Sequence, residues 1–221
     1  MSRAALLLLA DGRFPAGTHA HSGGIEAAHA AGYVTDCSSL DRYIRGRLAT
    51  VGVVDATFTA HAAASMHPWT VLDSELDARL LSPRVRSVSR SLGRQLLRTG
   101  RHVWPDARLD ALHDAIPNGT HQAVVFGALA AAARVTPLDA SVCVLHHLAS
   151  GLATAALRLL GLDPFQLTAL LASLAGTIER TADDAVARLD QPLLALPACS
   201  GPLAEILAED HATWEVRLFA S

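Results

Sequence analysis

The sequence contains no lysine, so all 18 of its basic side chains are arginines. Charged residues make up only 18% of the 221 residues, and the formal net charge is −3. Because there is no basic excess, general binding to nucleic acid or to an anionic membrane surface is not expected. So few charges on a chain of this size indicate that part of the surface is covered by a partner.

Cysteine is also scarce. Cys37, Cys143 and Cys199 are far apart and form no Cys-x-x-Cys pair. This spacing argues against a disulfide framework and against a thiolate zinc site, and it is typical of a reducing compartment. We therefore expect a cytoplasmic protein.

Long apolar runs are limited to two places. The run at residues 4–10 stops at Asp11, which predicts a first core helix rather than a signal peptide. The stretch at residues 142–162 contains His146, His147 and Arg158, which favours a buried helix over a membrane span.

Several helix starts are marked by an N-cap residue followed by proline, namely Ser82-Pro83, Thr136-Pro137 and Asp163-Pro164. Apolar residues follow each start at a period near 3.6, and no alternating run of β-branched residues indicates a strand. The prediction is an all-α fold in one domain over residues 1–221, with a core of antiparallel helices at about 38–187. An extended N-terminal segment and a flexible C-terminal tail complete it.

Glycine and proline break any helix at residues 11–25 and predict a structured turn there. Six residues of this turn and of the helix that follows it are candidates for holding the turn or for contacting a partner. They are Phe14, Pro15, Gly17, His21, Ser22 and Glu26.

Histidine is abundant, with eleven residues. His19 and His21 could bind a transition metal weakly, or they could serve only as polar turn residues. Glu26 and His29 have the Glu-x-x-His spacing of di-metal helix bundles, but the additional inward carboxylates that such a site needs are lacking. Our interpretation is a protein with no catalytic residue, no resident metal and no cofactor.

Two alternatives stay open at this point. One is a helical di-metal enzyme. The other is a dimeric all-α transcription regulator, which would need a helix-turn-helix with a basic recognition helix. Residues 1–60 show no such charge pattern.

An arginine stripe is the most organised charge feature, with members four residues apart: Arg86, Arg90, Arg94 and Arg98, with Arg101 beyond. No acidic residue stands at i±4 to neutralise it. The stripe is either a docking face for an acidic partner or phosphate, with Arg90 and Arg94 as contacts, or a face that is solvated or paired with the acidic residues at 73–77.

The chain ends in large apolar residues that nothing in the sequence covers. We predict residues 203–221 to be a partner-binding tail. Aromatic and arginine side chains dominate the energetics of protein interfaces. The predicted anchors of the tail are therefore His211, Trp214, Arg217, Leu218 and Phe219.

Three blocks of the sequence resemble the UreF family of urease accessory proteins. The first joins an apolar run ending in Asp11 to Phe-Pro-Ala-Gly and His-Ser-Gly-Gly-Ile-Glu at residues 14–17 and 21–26. The second is Ser-Arg-Ser-Leu-Gly-Arg-Gln-Leu at residues 89–96, and the third ends in Arg-Leu-Phe-Ala-Ser at residues 217–221. One departure is Ala212, where the family has glutamate after the tail histidine.

The resemblance implies a helical, dimeric protein that performs no covalent chemistry. It implies binding to a UreD/UreH-type accessory protein through the C-terminal tail and nearby surface. It also implies recruitment of the GTPase UreG and a role in nickel insertion into apo-urease.

Overall fold

The computed structural model describes residues 2–15 and 21–219. These two ranges contain helices and no strand, which confirms the all-α prediction. The α-helices follow in the order α1 (Arg3–Ala10), α2 (Ile25–Ala30), α3 (Cys37–Arg47), α4 (Val53–Ala64), α5 (Trp69–Asp77), α6 (Pro83–Val103), α7 (Ala107–Ala115), α8 (Gln122–Ala132), α9 (Pro137–Leu160), α10 (Pro164–Ser173), α11 (Ala175–Val186) and α12 (Pro202–Ala212).

The helix starts predicted from N-cap residues are confirmed. Ser82, Thr136 and Asp163 each accept a hydrogen bond from a backbone N–H in the first turn of α6, α9 and α10 respectively. Proline follows each cap, where its missing N–H costs no intrahelical bond. Local sequence therefore sets where these three helices begin.

Helix α4 forms the centre of the core and packs against α8, α9 and α11. Both apolar and polar side chains of α4 are buried, for example Phe58 and Thr59. The Thr59 hydroxyl donates to the carbonyl of Ala123 at 3.0 Å, so its burial leaves no unpaired donor. A π-helical turn at Leu48–Gly52 joins α3 to α4.

Glycines allow the helices to approach closely. A Cβ added at Gly93 of α6 would overlap the carbonyl oxygen of Thr120, and one added at Gly127 of α8 would overlap the carbonyl oxygen of Thr59. The α6–α8 and α4–α8 contacts therefore depend on residues without side chains.

Helix α9 has the length and composition of a membrane span, with a mean hydropathy of 1.4 in its most apolar window. Of that window, 56% is buried against the rest of the protein. Because α1, α2, α4 and α11 pack around it, α9 is a core helix of the bundle, as its histidines and arginine predicted.

Residues 203–221 were expected to form a flexible tail. The structure places helix α12 over Pro202–Ala212, and the last described residues, 213–219, fold back towards α2. We call residues 202–219 the C-terminal segment.

Candidate interaction site at the C-terminal segment

Helix α12 is attached to the start of α6. The Glu205 carboxylate accepts the backbone N–H of Ser82 at 2.7 Å. Glu209 accepts the Ser82 hydroxyl and the backbone N–H of Arg84. Since the first N–H groups of a helix have no intrahelical partner and carry partial positive charge, these two carboxylates stabilise the α6 terminus and fix α12 in place.

Glu26 binds the end of the chain. Its carboxylate accepts the backbone N–H of Leu218 at 2.7 Å and that of Phe219 at 3.1 Å. The Nε2 atom of His211 lies 2.9 Å from the same carboxylate. One side chain from the start of α2 therefore holds both the end of α12 and the tail that follows it.

The turn before α2 presents Glu26 to the tail. Gly23 and Gly24 have φ angles of 62° and 96°, in the left-handed region that glycine adopts without steric cost. The Ser22 hydroxyl accepts the N–H of Gly24 at 3.2 Å and braces the turn. Glu26 follows in the first turn of α2, where a carboxylate is also favoured by the helix dipole.

The Glu26 carboxyl is stabilised in its ionised form. Burial opposes ionisation, but the N–H groups of Leu218 and Phe219 and the His211 ring outweigh it and lower the pKa of Glu26 below its ordinary value. Its negative charge is therefore part of the contact that holds the tail.

Ring contacts complete the inner side of the segment. The Trp214 ring lies 4.8 Å from the His211 ring, centroid to centroid, and its Nε1–H donates to Asp210 at 3.2 Å. The Phe219 side chain is only 5% exposed, and the Arg158 guanidinium lies 4.9 Å from its ring centroid.

The outer side of the segment is apolar and exposed. Leu203 and Ile206 of α12 are 44% and 66% exposed, and Val216 and Leu218 of the tail are 87% and 58% exposed. Polar contacts thus hold the segment in place while its aliphatic side chains face outward. Exposed apolar side chains of this kind are candidates for a protein contact.

The predicted tail anchors fall into two groups. His211 and Phe219 are buried within the chain itself and Trp214 is half-buried. Arg217 and Leu218 are exposed. In this conformation the first group positions the tail, and the second group is accessible to a partner.

The predicted N-terminal turn residues are dispersed. Phe14 is buried and stacks on Trp104 at 5.8 Å between centroids. Pro15 is exposed, and its carbonyl accepts the Thr99 hydroxyl at 2.8 Å. Gly17 lies outside the described residues.

His21 is half-buried near α6. Burial and the positive charge of Arg84 lower the pKa of its ring below the ordinary value, which favours the neutral form. His19, the other histidine of the proposed weak metal pair, lies outside the described residues.

Arg90 is committed to contacts within the chain. Its guanidinium donates to Asp73 at 3.0 Å, to Asp77 at 2.8 Å and to the carbonyl of Gly119 at 2.6 Å. Asp77 also accepts from His121 at 2.9 Å. The interpretation of the stripe as paired with acidic residues upstream therefore holds for Arg90.

Other members of the stripe have weaker internal contacts. Arg94 is exposed and donates to the carbonyl of Asn118, a neutral acceptor. Arg101 forms an ion pair with Asp110 at 2.6 Å. Within residues 2–15 and 21–219, Arg94 thus forms no ion pair, whereas Arg101 does.

A cavity of about 200 Å³ lies between α4, α6, α9 and α12. Its walls are mainly aliphatic, and Asp55 of α4 borders it. Burial raises the pKa of the Asp55 carboxyl to about 7, although nearby Arg47 favours the charged form.

The Glu-x-x-His pair of the di-metal hypothesis does not converge on a shared site. Glu26 binds the tail, while the His29 Nδ1 atom lies 2.8 Å from the carbonyl of Val34. Among residues 2–15 and 21–219, no group of three or more His, Cys, Asp or Glu side chains has the arrangement of a metal site.

The sequence did not predict that Glu26 binds the tail. On sequence grounds Glu26 was a turn residue, a partner contact or half of a Glu-x-x-His pair, whereas the residues that it binds are 185–193 positions away. No spacing rule connects positions so far apart. The capping of α6 by Glu205 and Glu209 was missed for the same reason.

Comparison with known proteins identifies the family of this chain. The family model of UreF matches residues 34–175. A protein of Mycobacterium marinum is 41% identical over 218 residues, covering 99% of this chain and 98% of its own. Proteins of Mycobacterium sp. strain JLS and of Mycolicibacterium vanbaalenii are each 39% identical, covering at least 98% of this chain and 97% of their own. All three are named urease accessory protein UreF.

The described residues form an all-helical protein, and its relatives are named as accessory proteins rather than as enzymes. The chain belongs to the UreF family of urease accessory proteins. It therefore has a role in urease maturation, which decides against both the di-metal enzyme and the transcription regulator.

Proposed function

We propose that this protein is a cytoplasmic scaffold that binds a UreD/UreH-type accessory protein through the C-terminal segment. The observation that carries the proposal is the exposure of four apolar side chains in this segment, namely Leu203, Ile206, Val216 and Leu218. Removing apolar surface from water is favourable, and a partner that covers these side chains provides that burial.

The segment is well suited to this role because its backbone is already ordered. Glu26 and the two carboxylates on α12 hold it in one arrangement. A preorganised surface loses less conformational entropy on binding than a disordered one, so more of the apolar burial appears as affinity.

The scaffold recruits a UreG-type GTPase to the same assembly, and the assembly promotes nickel insertion into apo-urease. Membership of the family supports this part of the proposal. Nickel is cargo in this process and not a resident cofactor of the chain.

We also propose that the protein is a homodimer. Phe165, near the start of α10, is 85% exposed, and Gly151 on the adjacent α9 has open space around it. An exposed large aromatic side chain and an open helix position without a side chain are both features of a surface that a second copy of the chain covers. Size-exclusion chromatography with light scattering should detect a dimer, and Phe165→Asp should shift it to monomer. A wild-type monomer would refute this point.

The main test is urease activation in cells that lack the protein, combined with co-purification of the UreD-type partner. Full-length protein should restore both. Val216→Asp places a charge on the outer face without touching the Glu26 contacts, so it should lose co-purification while the thermal midpoint stays unchanged. Met66→Asp, which changes a residue 53% exposed at the α4–α5 turn, is the matched control and should behave as wild type.

Truncation separates the tail from α12. A chain ending at Thr213 keeps the contacts of Glu205 and Glu209 with α6 but loses the tail, and we expect it to be folded and inactive. If that truncated chain activates urease as well as the full chain does, the tail is not the partner site. If full-length protein restores nothing, the scaffold function itself is refuted.

A further inference from the structure

An open groove lies between the N-terminal turn and the second half of α6. It has a volume of about 620 Å³ and is lined by Pro15, Gln95, Arg98, Thr99, His102 and Val103. The hydrogen bond from Thr99 to the Pro15 carbonyl ties its two walls together. Gln95, Arg98 and His102 are all exposed along it.

Arg98 differs from its neighbours in the arginine stripe. Arg90 and Arg101 are neutralised by carboxylates, but Arg98 forms no hydrogen bond or ion pair with any residue of the described ranges. Arg94, one turn earlier, donates only to a neutral carbonyl. Among the described residues, neither Arg94 nor Arg98 forms an ion pair, and of the two only Arg98 lines the groove.

We infer that this groove binds an acidic segment of a partner protein, with the Arg98 guanidinium as the carboxylate-binding group. A planar guanidinium donates two parallel hydrogen bonds to a carboxylate, which gives both affinity and orientation. Gln95 and His102 stand three residues before and four residues after Arg98, so both lie on its helix face and add hydrogen-bonding groups. The inference rests on the proposed function, since a scaffold acts by binding other proteins.

The composition of the groove favours a protein over a nucleic acid. Val103 is 38% exposed, and Pro15 is exposed at the opposite wall, so apolar side chains flank the charge. Nucleic-acid affinity depends on many phosphate contacts, whereas Arg98 is the one arginine among the described lining residues and the whole chain carries a formal charge of −3. An acidic peptide with neighbouring apolar side chains matches this surface better.

A direct test uses a fluorescein-labelled oligoglutamate peptide as the probe and full-length protein. At an ionic strength of about 0.01 M, where charges act over about 30 Å, the wild type should bind it measurably. Arg98→Glu should weaken binding by about tenfold or more because it replaces attraction with repulsion. Raising the ionic strength to about 0.15 M should reduce the difference.

Matched variants separate charge from geometry and from folding. Arg98→Gln removes the charge but keeps a polar side chain, and should weaken binding less than Arg98→Glu because it adds no repulsion. Arg42→Glu reverses the charge of an exposed arginine on α3. It changes the net charge as much as Arg98→Glu does, but it should bind the peptide with about the wild-type affinity. Equal thermal midpoints of the variants would show that folding is intact.

The second arm measures binding of the purified UreG-type GTPase and UreD-type protein to the same variants. Weaker binding of either protein to Arg98→Glu, but not to Arg42→Glu, identifies the partner that supplies the acidic segment. If the peptide binds at Arg98 while neither accessory protein binds the wild type, the groove inference stands and the proposed function fails.

Three results would overturn the inference. The first is no peptide binding to the wild type. The second is equal binding to wild type and Arg98→Glu. The third is displacement of the peptide by inorganic phosphate or an oligonucleotide at lower concentration than by unlabelled peptide, which would make the site a phosphate site.

Discussion

Replacing Glu26 with glutamine removes one carboxylate oxygen from the contact that holds the chain end. In the native arrangement Oε1 accepts the Leu218 N–H, and Oε2 accepts the Phe219 N–H and lies beside His211. A glutamine amide keeps one oxygen and presents an N–H₂ group at the other position. In either orientation of the amide, that group faces a backbone N–H donor, of Leu218 or of Phe219, so at least one charge-assisted hydrogen bond is lost.

The expected magnitude follows from the number of bonds. A hydrogen bond to a charged group contributes about 1.5–3 kcal/mol, so Glu26→Gln should favour local opening of the tail by about 2 kcal/mol. This corresponds to a roughly 30-fold larger open population. Because Phe219 is the one residue of the described tail that is fully buried, we expect a small shift of the global thermal midpoint.

The assay uses the absence of lysine from the chain. Trypsin then cleaves only after arginine, and Arg217 lies within the tail, so cleavage there releases residues 218–221. Mass spectrometry should show this loss about 30-fold faster in Glu26→Gln than in the wild type, and unchanged in the control Glu179→Gln, at an exposed position on α11. Equal rates for Glu26→Gln and wild type would refute the idea that this carboxylate holds the tail.

Acid should have the same effect on the wild type. The pKa of Glu26 is lowered in the folded protein, so its contribution to stability is complete above its unfolded pKa of 4.5 and is lost as pH falls through the lower folded value. Amide hydrogen exchange at Leu218 and Phe219, corrected for the intrinsic pH dependence, should report this loss. Glu26→Gln should lack it.

Other predictions concern the core. Gly93→Ala should destabilise the protein by about 2 kcal/mol or more, because the added methyl group overlaps Thr120. Gly46→Ala, in open space on α3, should stabilise it by about 0.5–1 kcal/mol. Thermal unfolding measures both effects, and equal melting temperatures of wild type and Gly93→Ala would contradict the close approach of Gly93 to Thr120. Asp55→Asn should stabilise the protein on the order of 2 kcal/mol at about pH 8 and little at about pH 4. The reason is that ionising the buried carboxyl destabilises the folded state, and this cost grows as the pH rises from the unfolded pKa of 3.8 to the folded pKa of about 7. Urea unfolding with Asp114→Asn as control checks this, and a difference that does not grow with pH would refute it.

The family resemblance and the helical pattern were both readable from the sequence, and the comparisons and the structure confirm them. The two hypotheses for the arginine stripe could not be separated, because a periodic charge pattern is the same whether the charges meet water, a partner or acidic residues elsewhere in the chain. The fold pairs Arg90 with Asp73 and Asp77 and leaves Arg98 without a described partner.

The sequence by itself determined the features that depend on neighbouring residues. Ser82, Thr136 and Asp163 begin their helices through bonds to residues two or three positions away, and such short spacings are visible in the chain. Tertiary structure alone decided that Glu26 receives the tail, with partners at least 185 positions distant. Their meeting depends on how α2, α9 and α12 pack, and packing is a property of the whole core rather than of any segment.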